Sequence, residues 1–573
     1  RLDPRARLED PRSRRRPGRS RARPVTTASD WTALLARQGV AEADIAAARQ
    51  TAETMAAQIA ALPSDPTKPV DVAAFQALLT EASSGTKAAA GADAGTAAPS
   101  PPTAETPGVE GMACRLAAGE VSAVELAEAA LAALDRADKA LNAVARLEPE
   151  AALDQAREAD RRLADYRRAG ETPPPLLGIP LAHKDLYARE GWLMEAGSTI
   201  LRGNRATRTA SVIAALDHAG AVDLGRLNTV EFALGPDGRN AHTGPVRNPW
   251  NPDHVPGGSS SGSGAAVAAG AVPAALGSDT GGSIRLPAAA CGVVGIKPTA
   301  GRLGRSGIWP LSGALDTAGP LATTVRDTAL LLQAMTGPDP DDPQSVNVPP
   351  DDLMSGIEDG LRGLRIGIAR VPFFDPVSPE IATALDRAIA VIEAEGAMVT
   401  DVTLPGIEAA NLLNVAIINA EAATQHRAWL ASRAAEYGPE TLGRMMTGLF
   451  LPSQTYLTAT TGRAPMLRAA LDGPFRQVDA VLTPVWACDP PPIEGDDPVA
   501  YRTRTQLLGH CTRPFNYLGL PAIVLPCALS AAGLPIGLQL VGRPFEEGLL
   551  LRAARGFERA RAFREEHRPP LTA

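Results

Sequence analysis

Residues 256–299, PGGSSSGSGAAVAAGAVPAALGSDTGGSIRLPAAACGVVGIKPT, have the most unusual composition in this chain. Two clusters of Gly and Ser, residues 257–264 and 277–283, flank a run of small residues that is typical of a tightly packed helix. Loops of this composition expose backbone N–H groups, because glycine carries no side chain to shield them. Such groups can bind a phosphate or stabilise an oxyanion.

Two motif-based interpretations of this stretch fail. The chain contains no G-x-x-x-x-G-K-S/T, and no G-x-G-x-x-G opens a helix after a clear strand, so a phosphate loop is not indicated. Residues 258–262, Gly-Ser-Ser-Ser-Gly, match the G-x-S-x-G nucleophile elbow. The preceding segment, NPWNPDHVPG, is interrupted by proline and cannot form the strand that an elbow requires.

A third interpretation is a family resemblance. Residues 256–299, with residues 176–186 before them and 513–545 after them, resemble the amidase signature family. GPVRNPWN at 244–251 and TRPFNYLGLPA at 512–522 are part of the likeness, which runs from about Val109 to the C-terminus. The resemblance implies an α/β fold, with a single large α/β/α domain around a mixed sheet, preceded here by a small helical N-terminal segment.

The resemblance also implies a Ser-Ser-Lys triad and neither a metal nor a cofactor. By motif, the triad is Lys184 from HKD, Ser259 from GGSS and Ser283 from DTGGSIR. A lysine acts as a base only when neutral, and burial lowers its pKa from the usual ~10.4. Lys184 ends the apolar run PLLGIPLAHKD, which predicts burial. Ser259 is then expected to relay the proton of the nucleophile, Ser283, and in the family its peptide bond to the preceding glycine is cis.

The residues around the triad have predicted supporting roles. Backbone N–H groups of an oxyanion hole are expected from Thr280, Gly281, Gly282 and Ser283, since the two glycines leave the carbonyl oxygen of a substrate unobstructed. Supporting roles are predicted for Gly258, Ser260, Asp279 and Arg285, the last two as a buried ion pair that orients the loop. Ser261 departs from the family, which commonly has glycine there, and Ser261 and Ser263 are interpreted as turn or capping residues.

Several other side chains invite a functional interpretation. His183 adjoins the predicted base, but the histidines show no metal-ligand spacing, so a structural role is predicted. Cys291 is interpreted as a small packing residue because no partner base is evident. Trp192, Trp309 and Leu311 could wall an acyl pocket or belong to the core.

The sequence therefore predicts an amidohydrolase that cleaves a small-molecule carboxamide, or a related anilide, ester or carbamate, through an acyl-enzyme. Two alternatives stay open. One is the glutaminase subunit of a tRNA-dependent amidotransferase, which shares these motifs but works in a heteromeric complex. The other is a binding protein that has kept the fold without turnover. A homodimer is compatible with the resemblance.

Composition and charge narrow the classes of partner. The 573 residues carry a net charge of −8, which becomes −15 without the arginine-rich residues 1–24. A nucleic-acid surface would carry the opposite sign, so direct binding of nucleic acid by the core is not predicted. No run approaches the ~20 apolar residues of a membrane helix, and no membrane association is expected. Five widely spaced cysteines without a C-x-x-C pair suggest a reducing, cytoplasmic setting.

The chain is predicted to divide into four parts. Residues 1–28 form a disordered basic tail and 29–83 a helical segment, in which Ser29-Asp30 and Asp71 are predicted caps. Residues 84–108 form a low-complexity linker and 109–573 the catalytic domain. The sequence leaves open whether the N-terminal helices are a dimerisation arm or a lid.

Helix and strand patterns alternate along the predicted catalytic domain. Ser122 and Glu125 form a predicted capping box, and a second helical run spans roughly 150–168. A helix between Ser378 and Gly396 completes a predicted β-α-β unit. Strands are predicted at 176–182, 221–227, 364–369, 398–404, 478–482, 522–525 and 537–541.

Overall fold

One mixed sheet organises the chain from β1 onward. The computed structural model describes residues 27–63, 70–85, 108–349, 351–495, 505 and 507–572. Eleven strands follow the spatial order β1-β3-β2-β4-β6-β5-β10-β11-β9-β7-β8. Their bounds are β1 Val144–Leu147, β2 Pro180–Lys184, β3 Val222–Leu227, β4 Ala274–Asp279, β5 Val294–Lys297, β6 Thr317–Ala322, β7 Arg365–Ile368, β8 Met398–Asp401, β9 Ala480–Pro484, β10 Ala522–Leu529 and β11 Pro535–Val541.

The sheet combines parallel and antiparallel pairs, and its edge strand β1 pairs antiparallel with β3. Strand β2 pairs in parallel with β3 and β4, and β7 pairs in parallel with β8 and β9. The pairs from β4 through β6, β5, β10 and β11 to β9 are antiparallel. Strands β2 to β6, β9 and β11 are buried along their whole length, so helices cover both faces of the sheet. This is the α/β/α architecture that the resemblance implies.

The helices in chain order are α1 Ala28–Arg37, α2 Glu42–Ala60, α3 Ala74–Gly85, α4 Val109–Ala118, α5 Ala123–Leu141, α6 Pro149–Ala169, α7 Ser211–His218, α8 Ser261–Ala268, α9 Arg285–Cys291, α10 Val325–Met335, α11 Pro379–Ala394, α12 Ile407–Gln425, α13 Arg427–Leu430, α14 Pro439–Phe450, α15 Ser453–Thr461, α16 Arg463–Asp472, α17 Pro474–Gln477, α18 Arg513–Tyr517, α19 Glu547–Arg561 and α20 Phe563–Glu566. Short 3₁₀ helices lie at Thr199–Leu201, Glu231–Ala233 and Ala434–Glu436. Within the described ranges, no helix is both long and apolar enough to cross a membrane.

The predicted helix boundaries are confirmed where capping residues define them. Ser122 and Glu125 form a complete capping box at the start of α5. Ser378 accepts the N–H of Ile381 at the start of α11, which lies between the parallel strands β7 and β8 as the predicted β-α-β unit. Of the predicted cap of α1, Ser29-Asp30, only Asp30 is confirmed, because its carboxylate accepts a hydrogen bond from the Thr27 N–H at 3.0 Å. Thr27, not Ser29, caps α1, because its hydroxyl reaches the N–H of Asp30, three residues on.

Each of the seven predicted strands overlaps an observed strand, although β2 begins at Pro180, four residues later than predicted. Four further strands lacked a recognisable pattern. They are β1, β4, β5 and β6, and β4 and β6 consist largely of small residues, AALGSD and TAGPLA. Neighbours approach these strands too closely for larger side chains. A Cβ on Gly277 would lie 2.7 Å from the Ser260 Oγ, and one on Gly319 would lie 2.3 Å from the Ile296 carbonyl oxygen. Because of this close packing, β4 and β6 contain few of the β-branched residues by which strands are recognised in a sequence.

The N-terminal helices α1 to α3 lie against helices of the predicted catalytic domain, residues 109–573. Helix α2 packs against α12, α14 and α15, α1 packs against α14, and α3 packs against α16. Their buried apolar side chains share one hydrophobic cluster with those of α12 and α14. Most of the predicted tail and linker, residues 1–26 and 86–107, lies outside the described residues.

Candidate active site

Lys184 is the last residue of β2 and is fully buried, in agreement with the apolar run that precedes it. Its Nζ lies 2.7 Å from the Oγ of Ser259 and 2.8 Å from the Oγ of Ser278. Burial lowers the pKa of Lys184 to about 7, although the nearby carboxylates of Asp316 and Asp279 act in the opposite direction. The amine is therefore partly neutral near neutral pH and touches two hydroxyl groups.

Ser259 is held by its backbone in the turn before α8. The peptide bond between Gly258 and Ser259 is cis, as the resemblance implies. The Ser259 carbonyl oxygen accepts the hydroxyl of Thr229 at 2.9 Å, and the Gly258 N–H donates to the Pro236 carbonyl oxygen at 2.7 Å. A Cβ on Gly258 would lie 2.7 Å from the backbone N of Gly238, so only glycine fits there.

Ser260 connects the turn that carries Ser259 to the loop that carries Ser283. Its N–H donates to the Ser283 carbonyl oxygen at 3.2 Å. Its Oγ accepts the N–H of Ser278 at 3.2 Å and donates to the Ser278 carbonyl oxygen at 3.3 Å. Ser283 lies two residues before α9, next to the N-cap Ile284, and is buried with 8% of its surface exposed.

The loop from Asp279 to Arg285 is held by a buried ion pair. Both side chains have no exposed surface, and the guanidinium donates to the carboxylate with Nε and Nη2, each at 3.0 Å. The same guanidinium donates to the side-chain oxygens of Gln539 and Asn516, each at 2.6 Å. Arg285 and hydrogen bonds hold the pKa of Asp279 well below its usual range, against the effect of burial. These contacts agree with the predicted orienting role.

The four N–H groups of the predicted oxyanion hole are not equivalent. That of Gly282 donates to the Asp279 Oδ1 at 2.7 Å and thus points into the loop. Gly282 has a φ of +130°, and a Cβ there would lie 2.3 Å from the Oγ1 of Thr512. Thr280, Gly281 and Ser283 thus remain the candidate donors, while Gly282 gives the loop a conformation that L side chains rarely adopt.

A cavity of about 260 Å³ reaches Ser278, whose hydroxyl contacts the Lys184 amine, but none of the three triad residues lines it. Ser278 and Asp316 lie in its wall, together with the apolar side chains of Leu186, Trp309 and Leu311. Two of the three predicted pocket residues, Trp309 and Leu311, therefore line this cavity. The third, Trp192, instead contacts the guanidinium groups of Arg189 and Arg226, which lie 5.0 and 5.1 Å from the centre of its ring.

The side chains of His183 and Cys291, predicted to be structural, are not among the described hydrogen-bond partners of the Lys184 amine. His183 is buried, and burial lowers its pKa to about 3, so the ring is neutral. Cys291 is buried with its Sγ 3.4 Å from the Pro256 carbonyl oxygen, and burial raises the pKa of its thiol. No group of three or more His, Cys, Asp or Glu side chains is placed to hold a metal ion among the residues that the structure describes.

Two residues of the site were missed by sequence reasoning. Ser278 contacts Lys184, and Asp316 accepts the Thr280 hydroxyl at 2.6 Å. Ser278 falls inside the Gly/Ser cluster 277–283, so the cluster itself was a signal for it. Asp316 lies more than thirty residues after Thr280, at the end of an irregular segment. The antiparallel pairing of β4 with β6 brings the two residues together.

Comparison with known proteins identifies the family. The family model described as Amidase matches residues 125–551. This chain belongs to the amidase signature family. It is therefore an enzyme of a family that acts on carbon–nitrogen bonds. A curated relative from Geobacter sp. (strain M21), one of the subunits of glutamyl-tRNA(Gln) amidotransferase, is 39% identical over 468 residues, which are 78% of this chain and 95% of the relative.

Solved structures of the amidase family have the same fold. One, from a vestigial protein complex that reveals the evolutionary origins of an s-triazine catabolic enzyme, is 35% identical with a TM-score of 0.74. The match covers 82% of this chain and 100% of that one. The native peptide amidase of Stenotrophomonas maltophilia is 32% identical with a TM-score of 0.69, over 82% of this chain and 99% of that one.

Proposed function

We propose that this amidase hydrolyses a small-molecule carboxamide, or a related anilide, ester or carbamate, through an acyl-enzyme on Ser283. The observation that carries the proposal is the buried amine of Lys184, 2.7 Å from the Ser259 Oγ. A neutral amine at this distance can accept the Ser259 hydroxyl proton. The Ser260 N–H contact with the Ser283 carbonyl oxygen supports the relay from Ser283 to Ser259, because it places the two loops side by side.

In the first half of the reaction the Ser283 hydroxyl loses its proton to Ser259 as Ser259 gives its own to Lys184. The Ser283 Oγ forms a bond to the substrate carbonyl carbon, and the N–H groups of the glycine loop stabilise the oxyanion. The C–N bond then breaks as the proton returns through Ser259 to the leaving ammonia or amine. Water attacks the acyl-enzyme by the same relay and releases the acid.

The pH dependence tests the protonation state of Lys184. We expect kcat/KM to rise with pH and to level off above an apparent pKa of about 7, because the base must be neutral in the free enzyme. Lys297 is the matched control, since burial also lowers its pKa to about 7 while its Nζ donates only to the Pro298 carbonyl oxygen among the contacts described. Lys297→Met should keep the acid limb in place. If the acid limb of the pH profile moved or disappeared in Lys297→Met, the limb would report the titration of Lys297 and not that of Lys184.

The second candidate is the glutaminase subunit of a tRNA-dependent amidotransferase. The names of relatives such as the Geobacter protein favour it over an autonomous amidohydrolase. Both candidates use the same acyl-enzyme chemistry and differ in the substrate and in the need for partner subunits. The packing of the helices α1 to α3 on the catalytic domain supports the first candidate, because these helices already occupy part of its surface.

The test is release of ammonia or amine by the purified chain alone. Primary amides, anilides, an aryl ester, a carbamate and glutamine are compared, each beside Ser283→Ala. Turnover of a substrate other than glutamine, lost in Ser283→Ala, supports the autonomous enzyme. Activity confined to glutamine, or activity that appears only after partner subunits co-purify, overturns the first candidate in favour of the second.

A further inference from the structure

We propose that the N-terminal helices position the wall of the catalytic cavity, through a contact between Phe75 of α3 and Arg463 of α16. The wall concerned is the cavity loop, defined as residues 308–316, five of which line the cavity besides Asp316. The inference rests on the proposed function only in taking this cavity as the place where the substrate binds. It assigns the helices a role that is neither a lid nor a dimerisation arm.

The N-terminal helices bury their apolar side chains against the catalytic domain. Trp31, Leu35, Ile45, Met55, Ile59, Phe75, Leu78 and Leu79 are all buried within the cluster that also contains side chains of α12 and α14. Helix α3 packs against α16, whereas α1 and α2 pack against α14. The association depends on apolar burial, which favours a permanently docked segment over one that opens and closes.

Arg463 is the buried group at the junction of α3 with the catalytic domain. Its guanidinium carbon lies 3.6 Å from the centre of the Phe75 ring. Its Nε donates to the Tyr517 carbonyl oxygen at 2.8 Å, and its Nη1 donates to the Ala314 carbonyl oxygen at 3.0 Å. Among the described residues, no carboxylate lies in salt-bridge contact with it, and its Nη2 has no hydrogen-bond partner. The face of the Phe75 ring thus takes the place of an anion.

The cavity loop links Arg463 to the triad loop through hydrogen bonds at Ala314 and Asp316 that its own backbone joins, and Glu421 also accepts hydrogen bonds from this loop. Ala314, whose carbonyl oxygen accepts the hydrogen bond from the Arg463 guanidinium, belongs to the cavity loop. Two N–H groups of that loop, those of Leu311 and Ser312, donate to the Asp316 Oδ2 at 2.9 and 3.0 Å. The other oxygen of Asp316 accepts the Thr280 hydroxyl, three residues before Ser283. The cavity loop is therefore tied to the N-terminal helices at Ala314 and to the catalytic loop at Asp316.

The position of Phe75 leaves little room for another arrangement. A Cβ on Gly519 would lie 2.7 Å from the Phe75 Cζ, so glycine at this position admits the ring. A smaller side chain at position 75 leaves the guanidinium without its partner face. We expect Arg463 then to hold Ala314 less firmly, and the cavity loop to open more often, with the lysine–serine contact unchanged.

The test compares two full-length variants that each remove a ring from a contact between the N-terminal helices and the catalytic domain. Phe75→Leu removes the ring over Arg463. Phe450→Leu is the matched control, because the Phe450 ring of α14 lies 5.2 Å from the guanidinium of Arg49 in α2, away from the hydrogen bonds that join Arg463 to the cavity loop. Hydrogen exchange of the amides of residues 308–316 is followed by mass spectrometry, with KM and kcat on the best substrate.

We expect amide exchange in the cavity loop to become about fivefold faster in Phe75→Leu and to stay at the wild-type rate in Phe450→Leu. KM should rise by about the same factor with kcat nearly unchanged, because the loop walls the cavity and the triad is intact. Equal exchange in Phe75→Leu and wild type overturns the proposal. So does an equal increase in Phe450→Leu, which indicates general loosening.

A second variant covers the case in which Phe75→Leu does not fold. Arg463→Lys keeps the charge but loses the planar face and one of the two carbonyl contacts, so it should also accelerate exchange at 308–316. Unchanged exchange in a folded Arg463→Lys overturns the proposal. Hydrogen exchange can be measured without turnover. A wild-type chain that is inactive on every amide would therefore contradict the proposed function, while the exchange rates would still test the positioning role.

Discussion

Ser283→Ala and Lys184→Met should each lower kcat/KM by about 10⁵-fold, since the members of such a triad act as a unit. The first removes the proposed nucleophile, and the second removes the amine that lies 2.7 Å from the Ser259 Oγ. Methionine fills about the same volume as lysine and avoids burying a charge, so we expect the fold to persist. Steady-state kinetics and circular dichroism of both variants measure the two effects separately.

Ser263→Ala is the matched control for these two variants. Ser263 lies in the same serine cluster as Ser259, but its hydroxyl donates to the Leu276 carbonyl oxygen at 3.0 Å and so only ties α8 to β4. We expect its activity to stay within about threefold of wild type, with a loss of about 1 kcal/mol of stability from the lost hydrogen bond. Substantial turnover in folded Ser283→Ala or Lys184→Met would contradict the mechanism.

Arg285→Met should lower the free energy of unfolding by about 3–5 kcal/mol. The variant leaves the buried carboxylate of Asp279 without its guanidinium partner and takes a donor from Gln539 and from Asn516. Methionine retains most of the apolar volume, so the loss is chiefly electrostatic. Equilibrium denaturation followed by circular dichroism, at neutral pH where Asp279 is ionised, gives the change directly.

An exposed arginine in an ion pair provides the comparison. Arg161 pairs with Glu158 on the surface of α6, where the two side chains are 71% and 56% exposed. Arg161→Met should change the unfolding free energy by no more than about 1 kcal/mol, because water screens the pair. If Arg285→Met were no less stable than Arg161→Met, the ion pair would not hold the catalytic loop.

Local signals in the sequence were sufficient for elements whose ends are defined by their own residues. Ser122 with Glu125, and Ser378 with Pro379, begin α5 and α11 at the predicted places, because caps act within a few residues. Strands β4 and β6 were not predicted because their small residues are required by close contacts with residues distant in the chain, such as that of Gly319 with Ile296. Their identity depends on packing that local patterns do not record.

The motifs in the sequence were sufficient to predict the family and the α/β class, and the resemblance that they carry implies Lys184, Ser259 and Ser283 as the candidate triad. Tertiary structure decided the rest. Burial of Lys184 on β2 lowers its pKa, the pairing of β4 with β6 brings Asp316 to the triad loop, and the docking of α3 sets Phe75 against Arg463. Each of these depends on residues far apart in the chain, and only the folded arrangement brings their charges and surfaces together.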